Sequence, residues 1–276
     1  MDHDADRATV TEVLARAGCV AAEEEADELI AAAASGSGRD LADLVARRLT
    51  GEPLAWITGH TNFCGLDVAV DPGVYVPRWQ SEPLARLAAD LLPPTGTGVD
   101  LATGSGAVAM VMQVARPAAR VVATEIDPAA VRCARRNGVE VHPGHLDRPL
   151  PADLAGEVDV LCAVLPYVPS NALHLLPRDV VAFEPRVALD GGAAGLDLVA
   201  AVIGAGRHWI RPGGWVVLEI GGDQVPAVTA LLEGSGYAAA GALVDGDGDP
   251  RAVYGRRSGS PSASREGPGH RSQPGP

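Results

Sequence analysis

The stretch Val99-Asp100-Leu101-Ala102-Thr103-Gly104-Ser105-Gly106-Ala107 is an apolar run, an acid, and a glycine turn opening into a helical pattern. Glycines there let the backbone bend sharply and approach a ligand closely. About 20 residues later, Val122-Ala123-Thr124-Glu125 ends a second apolar run on a carboxylate, with Ile126 beside it. A carboxylate so placed can accept both hydroxyl hydrogens of a nucleoside ribose. The pattern suits two cofactors. Gly104-x-Gly106-x-x-Ala109 satisfies the loose NAD fingerprint. Asp100 favours S-adenosylmethionine (AdoMet), because a carboxylate before the loop suits a cationic amino-acid end better than a pyrophosphate.

Two other motifs are set aside. Gly204-Ala205-Gly206 follows no strand and is expected to end a helix. Asp245, Asp247 and Asp249 imitate the start of a calcium loop, but Pro250 and Arg256 stand where Gly and Glu are required, so a strand-connecting turn is expected. Cys19, Cys64, Cys133 and Cys162 contain no C-x-x-C pair, so neither a metal site nor a disulfide framework is signalled.

The elements that must position these residues follow from hydrophobic periodicity. Strands are expected at Val99–Leu101, Val121–Ile126, Val158–Leu165 and Trp215–Ile220. Helices between them are expected near Ala107–Ala115, Pro128–Asn137, Leu196–Trp209 and Gln224–Leu232. Such alternation implies an α/β fold with a largely parallel sheet. Two final strands, near Ala239–Val244 and Arg251–Gly255, flank the aspartate turn. Upstream, Ser81–Leu92 reads as a helix. Phe63–Val70 and Val74–Val76, around Asp71-Pro72-Gly73, read as a β-hairpin. Three short helices open the chain. The first carries Val10, Val13, Leu14 and Ala17 and stops at Gly18. The second carries Ala26, Leu29, Ile30 and Ala33 and is broken at Ser35-Gly36-Ser37-Gly38. The third is capped by Asp40 and carries Leu41, Leu44, Val45 and Leu49.

Composition narrows the partners. Basic residues number 22, all arginine, against 35 acidic ones, a net charge of −13. A pI near 4.9 argues against a broad nucleic-acid-binding face. Met1-Asp2-His3-Asp4 is polar, and no apolar run approaches the roughly 20 residues of a membrane helix, so a cytoplasmic protein without a membrane span is expected.

Further stretches carry a family likeness. Gly51-Glu52-Pro53-Leu54-Ala55-Trp56-Ile57-Thr58-Gly59, Phe63-Cys64-Gly65-Leu66 and Asp71-Pro72-Gly73-Val74-Tyr75-Val76-Pro77-Arg78 precede the loop. Asp127-Pro128-Ala129-Ala130-Val131, Glu184-Pro185-Arg186-Val187-Ala188-Leu189-Asp190-Gly191-Gly192, Arg211-Pro212-Gly213-Gly214 and Leu218-Glu219-Ile220-Gly221 follow it. With these, the chain resembles the HemK/PrmC family of protein N(5)-glutamine methyltransferases, which modify peptide chain release factors.

The resemblance implies a class I AdoMet methyltransferase fold, Rossmann-like, with a mostly parallel seven-stranded sheet. It implies a helical substrate-docking domain over 1–60, a hairpin linker over 61–80, a methyltransferase domain over 81–257 and, from composition, a disordered tail over 258–276. Asp100, Ala102, Thr103, Gly104, Ser105, Gly106, Glu125, Ile126, His145 and Leu146 would hold AdoMet. The substrate would be a protein, a release factor, with no direct nucleic-acid or membrane partner. In this family an Asn-Pro-Pro-Tyr motif aims the glutamine amide: the Asn side chain and the next carbonyl accept its hydrogens and the Tyr packs on its plane. Here the motif reads Val164-Leu165-Pro166-Tyr167, so one amide hydrogen bond is lost while the Leu165 carbonyl and the Tyr167 ring remain. Losing a positioning bond typically costs roughly 100-fold in rate. A different methyl acceptor, or an AdoMet-binding homologue with impaired catalysis, are the alternatives; a NAD-dependent dehydrogenase is remote. Ala102 replaces the first loop glycine, and a methyl group there is tolerable if its φ stays negative. His145 stands where the family has an acid near adenine, Leu146 offers an N–H to that ring, and Glu125 replaces a shorter Asp.

Overall fold

The computed structural model describes residues 3–35, 40–176 and 178–259. It opens with α1 (His3–Arg16), α2 (Ala22–Ala34), α3 (Leu41–Leu49) and the short α4 (Leu54–Thr58). Leu14, Ala26, Leu29, Leu44 and Ile57 form a core of their own between them. Asp40 caps α3, its carboxylate accepting the Ala42 N–H at 3.3 Å. Arg48 on α3 pairs with Glu25 on α2 at 2.6 Å, both side chains largely shielded. Leu49, expected on the apolar face, is 45% exposed at the helix end. The expected break at Gly36-Ser37-Gly38 lies outside the described residues, as do Met1, Asp2 and the tail from residue 260.

The hairpin sits earlier than the periodicity suggests. Strand β1 (His60–Phe63) pairs antiparallel with β2 (Leu66–Ala69) around Cys64-Gly65. Those two residues take φ of 53° and 81°, the left-handed pair that a two-residue hairpin turn requires. Val74–Val76, expected as the return strand, is not a strand: Val74 lies in a bend, its N–H donating to the Asp71 carbonyl at 3.1 Å. Its alternation reflects burial of Val74 and Val76 around an inward-facing loop, not strand pairing. The Trp56 indole N–H fixes that run by donating to the Val74 carbonyl at 2.8 Å.

Beyond α5 (Glu82–Leu91) come β3 (Thr97–Leu101), α6 (Ala107–Ala115), β4 (Arg120–Glu125), α7 (Pro128–Arg136), β5 (Glu140–Pro143) and β6 (Val158–Ala163). Then follow α8 (Arg178–Phe183), α9 (Asp197–Trp209), β7 (Ile210–Glu219), α10 (Val225–Gly234), β8 (Tyr237–Val244) and β9 (Pro250–Arg257). The expected α/β architecture is present. Among the described residues the main sheet has seven strands in the order β5-β4-β3-β6-β7-β9-β8. All neighbours run parallel except β9, which is antiparallel to both β7 and β8.

Strand β5 and helix α8 have no counterpart in the periodicity. In β5 only Val141 is buried, so the edge strand carries too little apolar signal, and α8 is six residues long. Gly204-Ala205-Gly206 does not end a helix: α9 runs on to Trp209. A side chain at Gly206 would strike the Tyr237 hydroxyl, which donates to the Ile203 carbonyl at 3.1 Å, so this glycine serves packing. The Asp245–Asp249 segment is the expected turn, with Asp245 accepting the N–H of both Asp247 and Asp249 at 3.0 Å.

Two facts of the sheet place the site. Side chains alternate between two cores: Val160, Cys162 and Val217 face one, while Leu161, Ala163, Val216 and Leu218 face the other. Strand order reverses between β3 and β6, and such a switch point opens a ligand crevice beyond the carboxyl ends of the strands.

Candidate active site

A cavity of about 810 Å³ occupies that crevice, within the range typical of small-molecule sites. The glycine loop forms one wall. Glu125, Ile126, His145 and Leu146 line the cavity too, as do Val164, Leu165, Pro166 and Tyr167. Eight of the ten residues expected to hold the cofactor thus line one cavity with Leu165, Pro166 and Tyr167, expected to hold substrate, and with Val164 at the position of the missing Asn. Asp100 and Gly106 are the exceptions: neither lines the cavity.

Asp100 is 1% exposed at the end of β3. It accepts the Thr103 hydroxyl at 2.5 Å and the Cys162 thiol at 3.8 Å. Burial pushes its carboxyl up to about 7, opposed by those bonds and by a backbone bond from Ala109. Its placement makes it an internal brace for the loop.

The loop turns on two left-handed residues, Ala102 at φ 56° and Gly104 at φ 59°, before Gly106 at φ 89°. The condition under which an alanine is tolerated there, a negative φ, is therefore not met at Ala102. The tight turn out of β3 demands the conformation that a glycine adopts without strain, and an L-residue there costs about 1–2 kcal/mol. Gly106 has a second reason to be glycine: a Cβ would approach Val139 to 2.9 Å and Ala134 to 3.2 Å, where α6 meets α7.

Glu125 is buried and already engaged. Its Oε2 accepts the Gly104 N–H at 2.9 Å, and its Oε1 accepts the N–H of Ile126 and Asp127 at 2.7 and 2.9 Å. A carboxylate offers roughly four lone-pair positions, so one remains open toward the cavity. Its extra methylene, relative to Asp, is what lets it reach back to the loop. Leu146 also takes a left-handed φ, of 47°, and no described residue accepts from its N–H. His145 is solvent-exposed at the cavity edge.

Leu165 and Pro166 are buried and Tyr167 half-buried. No described residue donates to the Leu165 carbonyl. The Tyr167 carbonyl accepts Gln224 Nε2 at 3.2 Å, and Gly191 and Gly195 press against the Pro166-Tyr167 backbone so closely that no side chain fits there. Burial first, and then the Glu219 charge, holds the Tyr167 phenol above its ordinary value.

Several lining residues escaped the sequence reading. Tyr75, its phenol pushed up to about 12 by burial, approaches from the run after the hairpin, and Arg78 stacks over its ring at 5.4 Å. Arg78 also pairs with the buried Glu184. Ser81, Glu219 and Arg251 complete that wall. Tyr75, Arg78, Glu184 and Glu219 all lie in the family-like stretches, but nothing in their spacing showed that they converge.

Comparisons with known proteins bear on the family and the fold. Residues 66–145 match the family described as Methyltransferase small domain. A release factor glutamine methyltransferase of Geobacter sulfurreducens is 35% identical over 219 residues, 77% of this chain and 76% of that one. One of Moorella thermoacetica is 40% identical over 217 residues, 76% of this chain and 75% of its own. Among solved structures, a methyltransferase from Pyrococcus furiosus aligns with a TM-score of 0.53 at 19% identity, covering 79% of this chain and 99% of that one, which bears on the fold alone. The chain belongs to the release factor glutamine methyltransferase family.

Proposed function

We propose that this chain transfers a methyl group from AdoMet to the side-chain amide nitrogen of the glutamine in a release factor's Gly-Gly-Gln loop. One observation carries the reading: a single cavity is lined both by the cofactor loop and by Leu165-Pro166-Tyr167. The cofactor fits what is there. Among the described residues the Leu146 N–H has no partner, Glu125 keeps one open acceptor position, and the loop turns on left-handed residues at Ala102, Gly104 and Gly106. When bound, AdoMet supplies an electrophilic methyl group on a sulfonium.

The chain's own residues do the rest by positioning. Glu125 would accept a ribose hydroxyl, and His145 and Leu146 would border the adenine. Asp100 would act through Thr103, keeping the loop in shape. The Leu165 carbonyl would accept one amide hydrogen of the glutamine and the Tyr167 ring would pack on the amide plane. Around the cavity mouth Trp79, Leu175, Val181 and Val187 are each more than half exposed, an apolar rim suited to a protein. The N-terminal helices, joined to this wall through Trp56, would extend the docking surface. No helix among the described residues is long and apolar enough to cross a membrane. A release factor places the work in the cytoplasm.

The test is incorporation of labelled methyl from AdoMet into a release factor with an intact Gly-Gly-Gln loop and into one with that glutamine replaced. Label in the first and none in the second is expected. Equal label in both would move the acceptor elsewhere, and AdoMet binding without transfer to any release factor would leave a cofactor-binding homologue.

A further inference from the structure

Position 164 leaves a gap in the amide site, and the neighbouring strand stands beside it. Ala163 on β6 pairs in parallel register with Leu218 on β7. The next residues along, Val164 and Glu219, are therefore neighbours about 4.8 Å apart across the strands. Ala163 and Leu218 face one core, so alternation turns Val164 and Glu219 together to the opposite face. Val164 packs against the core on that face, and both residues line the cavity. Glu219 is 4% exposed, the Ser81 and Tyr167 hydroxyls lie beside its carboxylate, and its Oε2 is nonetheless buried without a partner in hydrogen-bonding geometry among the described residues. Such an acceptor is costly to bury unsatisfied and points to a ligand donor.

Resting on the glutamine reading above, we propose that Glu219 supplies from β7 the acceptor that Val164 lacks, binding the substrate amide N–H and taking its proton as the methyl group is transferred. The amide nitrogen forms the new N–C bond while the methyl–sulfur bond breaks and its electron pair stays on sulfur. One of the two amide protons then passes to Glu219 Oε2 and onward to solvent. The groups facing this carboxylate suit the task. Burial raises its proton affinity, while the Ser81 and Tyr167 hydroxyls and the Arg251 charge favour its ionised form. The Tyr75 phenol senses the same charge. Tyr167 is thus coupled to Glu219 on one side and, by its ring, to the substrate amide on the other.

The experiment compares the full-length native chain with Glu219→Gln, Glu219→Asp and Val164→Asn/Glu219→Gln, using a release factor as acceptor and calorimetry with a Gly-Gly-Gln peptide and with AdoMet. Glu219→Gln keeps the shape but removes the base, so kcat should fall about 100-fold, in line with loss of a general base. Native kcat should fall on the acid side with an apparent pKa above the ordinary carboxylate range, and that limb should vanish in Glu219→Gln although Asp100 is untouched. Glu219→Asp should keep the limb at a lower rate, which preserves the test where the Gln variant folds poorly. Adding Val164→Asn should restore roughly 10-fold by returning an acceptor. Peptide binding should weaken about 10-fold in Glu219→Gln while AdoMet affinity stays the same. An unchanged kcat and pH profile in a folded Glu219→Gln chain would overturn the inference and leave the glutamine reading standing. A native chain that methylates no glutamine would overturn both.

Discussion

At the residue scale, three side chains set how well the loop is made. Ala102 holds a left-handed backbone at φ 56°, so Ala102→Gly should relieve strain. The gain is about 1 kcal/mol, partly offset by glycine's unfolded-state entropy, and melting should rise by up to about 3 °C with AdoMet affinity unchanged or improved. A lower melting temperature would contradict the strain. Asp100 is raised to about 7 by burial. In the unfolded chain it ionises near 3.9. The folded state therefore binds an extra proton between about 4 and 7, and stability declines as pH rises through that window. Asp100→Asn should flatten this decline, and calorimetric melting from pH 4 to 8 reads it out against the native chain. Glu125 satisfies three backbone N–H groups as well as the proposed ribose contact. Glu125→Ala should weaken AdoMet by about 2 kcal/mol, roughly 30-fold, by isothermal titration. An unchanged affinity would separate the loop from the cofactor.

Among the elements, what the sequence carried and what it hid divide on physical lines. Strands β3, β4, β6 and the Val216–Glu219 part of β7 are largely buried on both faces and read as apolar runs, and helix α6 falls on Ala107–Ala115 as expected. The hairpin was displaced because its turn depends on Cys64 taking a left-handed φ, which no periodicity encodes. Strand β5 is short and mostly solvated, so its four residues carry no pattern. The cavity's residue types were legible where they are local in sequence, as in Gly104–Gly106 and Leu165–Tyr167. Glu219 was not, because its meaning depends on register with Val164 across two strands. Gly106 belongs to this scale too. A methyl there would push α6 off α7, so Gly106→Ala should destabilise the chain by at least 2 kcal/mol and weaken AdoMet binding, measured by denaturant titration and calorimetry.

At the scale of the whole molecule, the N-terminal helices keep a separate core and meet the sheet domain through Trp56, which bonds Val74 and packs edge-on to Phe183 at 6.3 Å. This wall of the cavity is thus assembled from three distant parts of the chain. Its rim carries Trp79, 58% exposed, with Arg251 over its ring at 5.3 Å. Trp79→Ala should raise KM for the release factor by about 10-fold and leave AdoMet affinity unchanged, as loss of an aromatic contact at a protein interface does. Steady-state kinetics varying each substrate in turn separates the two.

The most direct measurement is tandem mass spectrometry of a release factor after incubation with the native chain and AdoMet. A single methyl group on the side-chain nitrogen of the Gly-Gly-Gln glutamine is the expected result. A release factor left unmodified, or methylated only at another residue, would contradict the assignment of Leu165-Pro166-Tyr167 and its neighbours as a glutamine site.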